Sequence, residues 1–259
     1  MRLATWNVNS LTARLPRVTE WIESQQPDVL CMQETKQADD KFPEEAFAEL
    51  GYESLHYGDG RWNGVAIVSR VGLEGVTRGF GTSDDDAGRR IVSAVCGGTR
   101  VFSVYVPNGR ALDNEMYEVK LAWLARLRSM LDQTCPAGSS VAVCGDFNVA
   151  PDDGDVWDPA AFVGATHVSE PERAALHSVE GWGLDDVFRR FNDPGTFTWW
   201  DYRAGDFHQG RGLRIDLVLV SDDLVQRTTG AFRDRDARKG QKPSDHAPVV
   251  VDFADSRSK

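Results

Sequence analysis

One run limits what this chain can fold into more than any other. At residues 213–220 the sequence LRIDLVLV places Asp216 in a strand otherwise apolar on both faces. A buried carboxylate without a partner costs several kcal/mol, so any fold must bring one to it. Two partners are open at this point. Asp216 could form a structural salt bridge with Arg214 or another cation, or it could pair with His246 and hold that ring oriented and cationic.

The rest of the chain alternates similar short strand-like runs with helical stretches. Strands are expected at residues 2–8, 28–32, 65–68, 91–95, 101–106, 141–144, 215–220 and 249–253, with Gly-rich turns between several of them. Residues 15–24 carry Val18, Trp21 and Ile22 at helical spacing. Residues 114–131 do so with Met116, Val119, Leu121, Trp123, Leu124, Leu127 and Leu131. Residues 176–191 read as partly helical, interrupted at Gly181 and Gly183. Strands and helices alternate in the first half and β-rich segments close the second. The expectation is a layered α/β architecture, sheet packed on sheet with helices outside. With no linker or repeat, residues 1–255 read as one domain and residues 256–259 as a short tail.

Composition narrows the functional classes. The chain has 41% hydrophobic residues and no apolar run approaching a membrane span. The N-terminus reads as a strand rather than a signal peptide. Cys31, Cys96, Cys135 and Cys144 form no Cys-x-x-Cys pair and read as buried free thiols, which suits a reducing cytoplasm. The net charge of −11 would count against a nucleic-acid partner if it were evenly spread. It is segregated instead. Arg227, Arg233, Arg235, Arg238, Lys239 and Lys242 face only Asp234 and Asp236 within residues 227–242, and Arg203, Arg211 and Arg214 face Asp206. Acid gathers at Asp39, Asp40, Glu44 and Glu45, at Asp84, Asp85 and Asp86, and at Asp152, Asp153 and Asp155. A basic rim on an acidic body is compatible with phosphate binding.

Polar residues with metal or acid–base chemistry recur where strands end: Asn7, Glu34, Tyr105, Asp146, Asn148, Asp216, Asp245 and His246. Any one of them could be a turn former or cap. Glu34, Asn7, Asp146 and Asp245 offer only oxygen, as magnesium prefers. His56, His167, His177 and His208 share no ligand spacing, which disfavours zinc. No Gly-rich nucleotide-binding motif occurs.

Nine segments then come together: TWNVN (5–9), DVLCMQETK (28–36), WNGVA (62–66), RRI (89–91), YVPNG (105–109), CGDFNVAP (144–151), TFTWWDYR (196–203), GLRID (212–216) and SDHAP (244–248). In order and approximate spacing they resemble the exonuclease III family of abasic-site (AP) endonucleases, in the endonuclease/exonuclease/phosphatase superfamily. Ser10 departs from the pattern, standing where Gly often follows the first Asn-x-Asn. The resemblance implies a four-layered α/β sandwich of two mixed sheets packed face to face, with the site at one end.

It also implies roles. Glu34 would be the principal Mg²⁺ ligand (Mn²⁺ substituting), with Asn7 beside it and Asp245 within reach. Asp146, helped by Asn148, would activate water. His246, kept protonated by Asp216, would meet a phosphoryl oxygen, and Tyr105 would donate to the phosphate or leaving group. Trp199, Leu213 and Ile215 match positions lining an apolar pocket for a base-free sugar, supported by Trp200 and Tyr202. Asn108, Arg89, Arg90, Arg110, Arg203 and Lys242 would contact substrate. The implied substrate is duplex DNA with abasic sites or blocked 3′ ends, bound by a monomer with no membrane attachment. A lipid or inositol phosphodiesterase of the same superfamily and a catalytically silent scaffold are the alternatives.

Overall fold

The apolar run around Asp216 becomes the strand β10 (Asp216–Ser221), and every one of its residues is buried. Such two-sided burial is possible only inside a stack of layers, and the computed structural model has four. It describes residues 1–81 and 88–255; the acidic run Asp84, Asp85 and Asp86 and the tail at 256–259 lie outside the described residues.

One six-stranded sheet orders its strands β11 (Thr228–Arg233), β12 (Val249–Phe253), β1 (Arg2–Asn7), β2 (Val29–Gln33), β4 (Val65–Ser69) and β3 (Glu53–Tyr57). The other runs β5 (Glu74–Arg78), β6 (Ile91–Cys96), β7 (Thr99–Tyr105), β8 (Val141–Asp146), β10 and β9 (Leu184–Asp186). Each sheet is mixed: β1 pairs parallel with β2, β7 parallel with β8, and the remaining neighbours are antiparallel. A parallel pair needs a crossover connection. Here α1 (Leu11–Gln25) links β1 to β2, and α3 (Glu115–Thr134) links β7 to β8.

The sheets pack face to face. Leu3, Val29, Cys31 and Ile67 from the first interleave with Val92, Val101, Cys144 and Val218 from the second. Outside the first sheet, Val18, Trp21 and Ile22 of α1 cover Trp6, Leu30 and Val68. Outside the second, Trp123, Leu124 and Leu127 of α3 and Leu176 and Val179 of α4 (Glu170–Glu180) cover Phe102, Val143 and Leu217. Three short helices complete the set, α2 (Glu44–Ala48), α5 (Asp206–Gln209) and α6 (Asp222–Arg227). All four cysteines are buried free thiols. No helix among the described residues is long and apolar enough to cross a membrane.

Some local expectations change. The Asn114 side chain accepts from the Met116 amide, so α3 starts as expected, but Val119 is exposed and lies off the packed face. The helix expected within residues 176–191 begins earlier, at the Ser169–Glu172 capping box, and ends at Glu180. Past Gly181 and Gly183 the chain turns into β9 and then makes a short 3-10 helix at Val187–Arg190. Strands β3, β5, β9 and β11 do not figure among the sequence-level expectations. Gly145 shows how tightly β8 is held: a Cβ there would lie 1.9 Å from the Val104 carbonyl oxygen.

Arg214 settles the choice left open for Asp216. It is 1% exposed, and its Nε and Nη2 donate to Asp155 at 2.5 and 3.0 Å while Nη1 donates to Asp186 at 2.5 Å. Its guanidinium is fully engaged away from Asp216. Removing one partner of a buried ion pair leaves an uncompensated charge, which costs about 3–5 kcal/mol. Asp155→Ala is therefore expected to lower the unfolding free energy by about 3 kcal/mol in urea denaturation. A loss well below about 1 kcal/mol would mean that Asp186 alone satisfies Arg214.

Candidate active site

The strand ends that carry polar residues converge at one edge of the two sheets. Asn7 ends β1 and Glu34 follows β2 in the first sheet. Tyr105 ends β7, Asp146 ends β8 and Asp216 opens β10 in the second. Sheet register aligns the last three, with Tyr105 opposite Asp146 and Asp146 opposite Asp216. His246 precedes β12 and reaches across from the first sheet.

His246 and Asp216 form the pair expected of them. Both are buried, and the imidazole Nδ1 lies 3.1 and 2.9 Å from the two Asp216 carboxylate oxygens. Burial alone would push the imidazole towards neutrality. The Asp216 carboxylate, with Asp146 and Asp245 nearby, outweighs it and raises His246 to about 10. The ring is therefore a cation at neutral pH, with Nε2 3.8 Å from Asp146 Oδ2. Thr198, in the TFTWW segment, fixes the carboxylate's backbone: its Oγ1 accepts from the Ile215 and Asp216 amides, each at 3.2 Å.

Asp146 is equally enclosed. Its Oδ1 accepts the Asn148 amide at 2.9 Å and its Oδ2 accepts Asn7 Nδ2 at 2.9 Å. Burial, helped by the like charges of Asp216 and Glu34, raises this carboxyl to about 7 against the pull of His246 and Asn7. Tyr105 faces Glu34 and Asp146, and burial with those two charges raises its phenol well above the ordinary value, so it keeps its proton.

Glu34 adopts the left-handed backbone region with φ +50°, which turns its carboxylate into the site. Asn7 Nδ2 donates to its Oε1 at 2.8 Å, and Lys36 Nζ lies 3.0 Å from its Oε2. Lys36 also donates to Asn9 Oδ1 at 2.5 Å. Ser10 takes φ +89°, a conformation glycine adopts freely, which explains why Gly is common at that place in the family pattern.

Among the described residues, Glu34, Asp146 and His246 are a group whose ligand atoms lie within 4.8 Å of one another, close enough to hold one metal ion. A protonated ring has no lone pair to give, which leaves the Glu34 and Asp146 carboxylates as the possible donors of this group. Oxygen-only donors fit a hard cation. Asn7 adjoins both, but presents its Nδ2 while Oδ1 accepts from the Asn9 amide at 3.0 Å. Joining a metal would require its carboxamide to turn over. Asp245 is directed elsewhere: Asn9 Nδ2 donates to its Oδ1 at 3.0 Å and Trp199 Nε1 to its Oδ2 at 3.1 Å.

Beside this centre, half-buried Trp199 packs with buried Leu213 and Ile215 and with Ala150 and Val156. The Trp199 ring is 6.5 Å from that of His246. Trp199 therefore stands as an apolar wall next to the reactive groups, with buried Leu213 and Ile215 packed behind it. Trp200 is a core residue, 1% exposed and packed with Phe197 and Ala247. Tyr202 is half exposed and its hydroxyl donates to the Pro243 carbonyl, away from that wall.

The expected phosphate-binding residues are more scattered. Arg90 stacks on Tyr105 with its guanidinium carbon 4.5 Å from the ring centroid. Arg89 stacks on Tyr57 and donates to the Gly58 carbonyl. Arg203 is largely exposed and paired with Asp201. Asn108 is exposed, its Nδ2 donating to Asn148 Oδ1 at 3.1 Å; Arg110 and Lys242 are exposed too. Several members of the basic rim turn inward, with Arg233 over Trp200 and Arg235 and Arg238 over Phe207.

Sequence reasoning overlooked four site neighbours. Lys36 and Asn9 lie inside quoted segments, and their two-residue offset from Glu34 and Asn7 was the available signal. His167, whose Nδ1 lies 2.6 Å from the Asn148 carbonyl oxygen, and buried Lys120 carry no local signature.

Comparison with known proteins matches this geometry. The endonuclease/exonuclease/phosphatase family model covers residues 4–246. Exodeoxyribonuclease III of Haemophilus influenzae is 34% identical over 98% of this chain and 100% of its own. The structure of an AP endonuclease from Archaeoglobus fulgidus superposes with a TM-score of 0.94 at 38% identity, covering 98% of this chain and 99% of that one. A 3′ phosphatase of Neisseria bound to product DNA hairpin gives 0.95 at 37% identity, again over 98% and 99%. Relatives this similar over their whole length, on a shared fold, leave one assignment: the chain belongs to the endonuclease/exonuclease/phosphatase family and, within it, to the exonuclease III family of AP endonucleases.

Proposed function

We propose that this protein is a Mg²⁺-dependent DNA phosphodiesterase of base-excision repair. It hydrolyses the backbone 5′ to abasic sites and removes nucleotides, phosphates or blocking groups from 3′ ends of duplex DNA. The observation that carries the reading is the buried His246–Asp216 pair, which fixes a cation beside the Asp146 carboxylate. The relative solved with product DNA supports the substrate class. The protein acts as a monomer, one domain over residues 1–255, in a reducing cytoplasm.

The chemistry is an in-line displacement at phosphorus. Asp146, raised to about 7, is poised to take the proton of the attacking water at neutral pH; the backbone N–H of Asn148 holds one of its oxygens in place, and the Asn148 carboxamide helps to orient the water. His246 sets a fixed positive charge against a phosphoryl oxygen as negative charge grows there. In a buried site such a preorganised charge is worth far more than in water. The Tyr105 phenol, protonated throughout, donates to the phosphate or the leaving oxygen. Glu34 and, once its amide has turned, Asn7 would hold a Mg²⁺ ion, leaving Asp146 free to accept the proton; Mn²⁺ fits the same donors. When bound, the ion supplies Lewis-acid neutralisation of charge on the phosphate and leaving oxygen. Asp245 acts from outside this set, by holding Asn9 and the Trp199 indole.

Trp199, Leu213 and Ile215 choose the substrate. A wall of this apolar character beside the reactive groups accepts a flipped-out sugar lacking its base and resists a full nucleotide. Arg90, Asn108 and, at the rim, Arg89 and Arg203 steer the phosphate backbone.

Glu34→Ala and Asp216→Asn are each expected to lower Mg²⁺-dependent incision of a duplex with one abasic site by at least about 10²-fold. The check is a gel assay with and without Mg²⁺, and near-full activity in either variant would sink the mechanism. Trp199→Ala should depress abasic incision far more than release of a 3′ phosphate in the same assay. Equal losses would show that the wall does not select the base-free sugar.

A further inference from the structure

Lys120 of α3 is 0% exposed, and it is the only lysine among the fully buried side chains of the described residues. Its ammonium contacts the Glu172 carboxylate of α4 and donates to the Asn148 carbonyl at 2.6 Å, to the Asn108 carbonyl at 3.3 Å and to Thr166 Oγ1 at 3.5 Å. Glu172 completes the cluster. Its Oε1 accepts from Thr166 Oγ1 at 2.7 Å and the His167 amide at 2.9 Å, and its Oε2 from Ser169 Oγ at 2.6 Å and the Ser169 amide at 3.1 Å. Three loops, at residues 105–110, 146–150 and 165–169, therefore meet on one buried ion pair.

Each loop bends through the left-handed region close to that pair. Gly109 has φ +85°, Arg110 +61°, Asn148 +51° and His167 +81°. A non-glycine residue held there costs about 1 kcal/mol or more, and persists only where its surroundings over-determine it. Contact with Lys120 is close enough to do so: a Cβ on Gly109 would lie 3.1 Å from Lys120 Cδ and 3.0 Å from Thr166 Oγ1. Two of the anchored residues carry the carboxamides of the site. Asn148 Oδ1 accepts from Asn108 Nδ2 at 3.1 Å, and Asn148 Nδ2 donates to the Val106 carbonyl at 2.9 Å.

An ion pair serving stability alone would be a weak choice, because apolar residues of similar volume often replace such pairs without loss. This one grips the backbone carbonyls of the two residues whose carboxamides must be aimed. We propose that Lys120, neutralised by Glu172, is a positioning residue: it fixes the Asn108 and Asn148 carboxamides against the reacting phosphate and water. The inference rests on the functional reading above, in which Asn148 assists Asp146.

The test is the double variant Lys120→Met/Glu172→Gln, which removes both charges together and leaves neither buried alone. On a duplex with a 3′ phosphate, kcat is expected to fall at least about tenfold while KM changes less than about threefold, since misplacement near the reacting centre acts on the chemical step. In an Asn108→Ala/Asn148→Ala background the same double change should alter kcat less than about threefold, because both groups being aimed are already gone. A lower melting temperature with unchanged kcat, or the same loss of kcat in both backgrounds, would overturn the proposal. If the double variant does not fold, Gly109→Ala keeps both charges while pressing a methyl group onto Lys120, and should show the same dependence on Asn108 and Asn148. Asp146→Asn, run alongside, separates the two levels. If that variant stays active, the reading of the site fails; if it is inactive while the double variant is normal, only the positioning role fails.

Discussion

A carboxylate in the middle of an apolar sheet is the constraint on which the active site depends. Asp216 opens β10 fully buried, and the neighbouring Arg214 does not compensate it, because Arg214 turns to Asp155 and Asp186. The Asp216 charge is tolerable because His246 arrives from the opposite sheet and becomes a cation against it. The contact does two things at once. It ties the segment before β12 to the start of β10, and it creates a fixed positive charge where a phosphate is to be attacked.

Other bonds repeat this bridging between sheets. Asn7 at the end of β1 donates to Asp146 at the end of β8, and Gln33 of β2 donates to Ser103 of β7 at 3.1 Å. A rigid sandwich thus brings its polar strand ends together at one edge, while the apolar face-to-face core keeps water from the rest. The irregular backbone is concentrated there too. Ser10, Glu34, Arg110, Asn148 and His167 all hold positive φ, which is the expected signature of loops whose shape serves a site rather than stability.

Much of this was legible in the sequence, and for identifiable reasons. Strands buried on both faces, such as β2, β4, β8 and β10, appear as continuous apolar runs, and α1 and α3 show helical spacing on the faces that pack. Motif resemblance singled out Glu34, Asn7, Asp146, Asp216 and His246, and the fold brings these five together. The edge strands were not legible: β5 is mostly exposed and β11 only partly buried, so neither shows an apolar pattern. Nor could charge counting distinguish an arginine facing DNA from one stacked on Trp200 or Phe207. Asp245 shares its segment with His246 yet points to Asn9 and Trp199, a direction set by backbone geometry that composition does not encode. Lys120 appears in the sequence as one polar residue of an amphipathic helix; only three distant loops converging on it reveal its place.

The central claim is that the Asp216 carboxylate, against the effect of burial, holds His246 as a cation through the neutral range. Titration of the His246 ring nitrogens by NMR in the metal-free protein tests it directly. The account predicts an imidazolium that persists through neutral pH and loses its proton only near pH 10. Deprotonation near the ordinary value of 6.5 would contradict it, and with it the source of the positive charge assigned to the site.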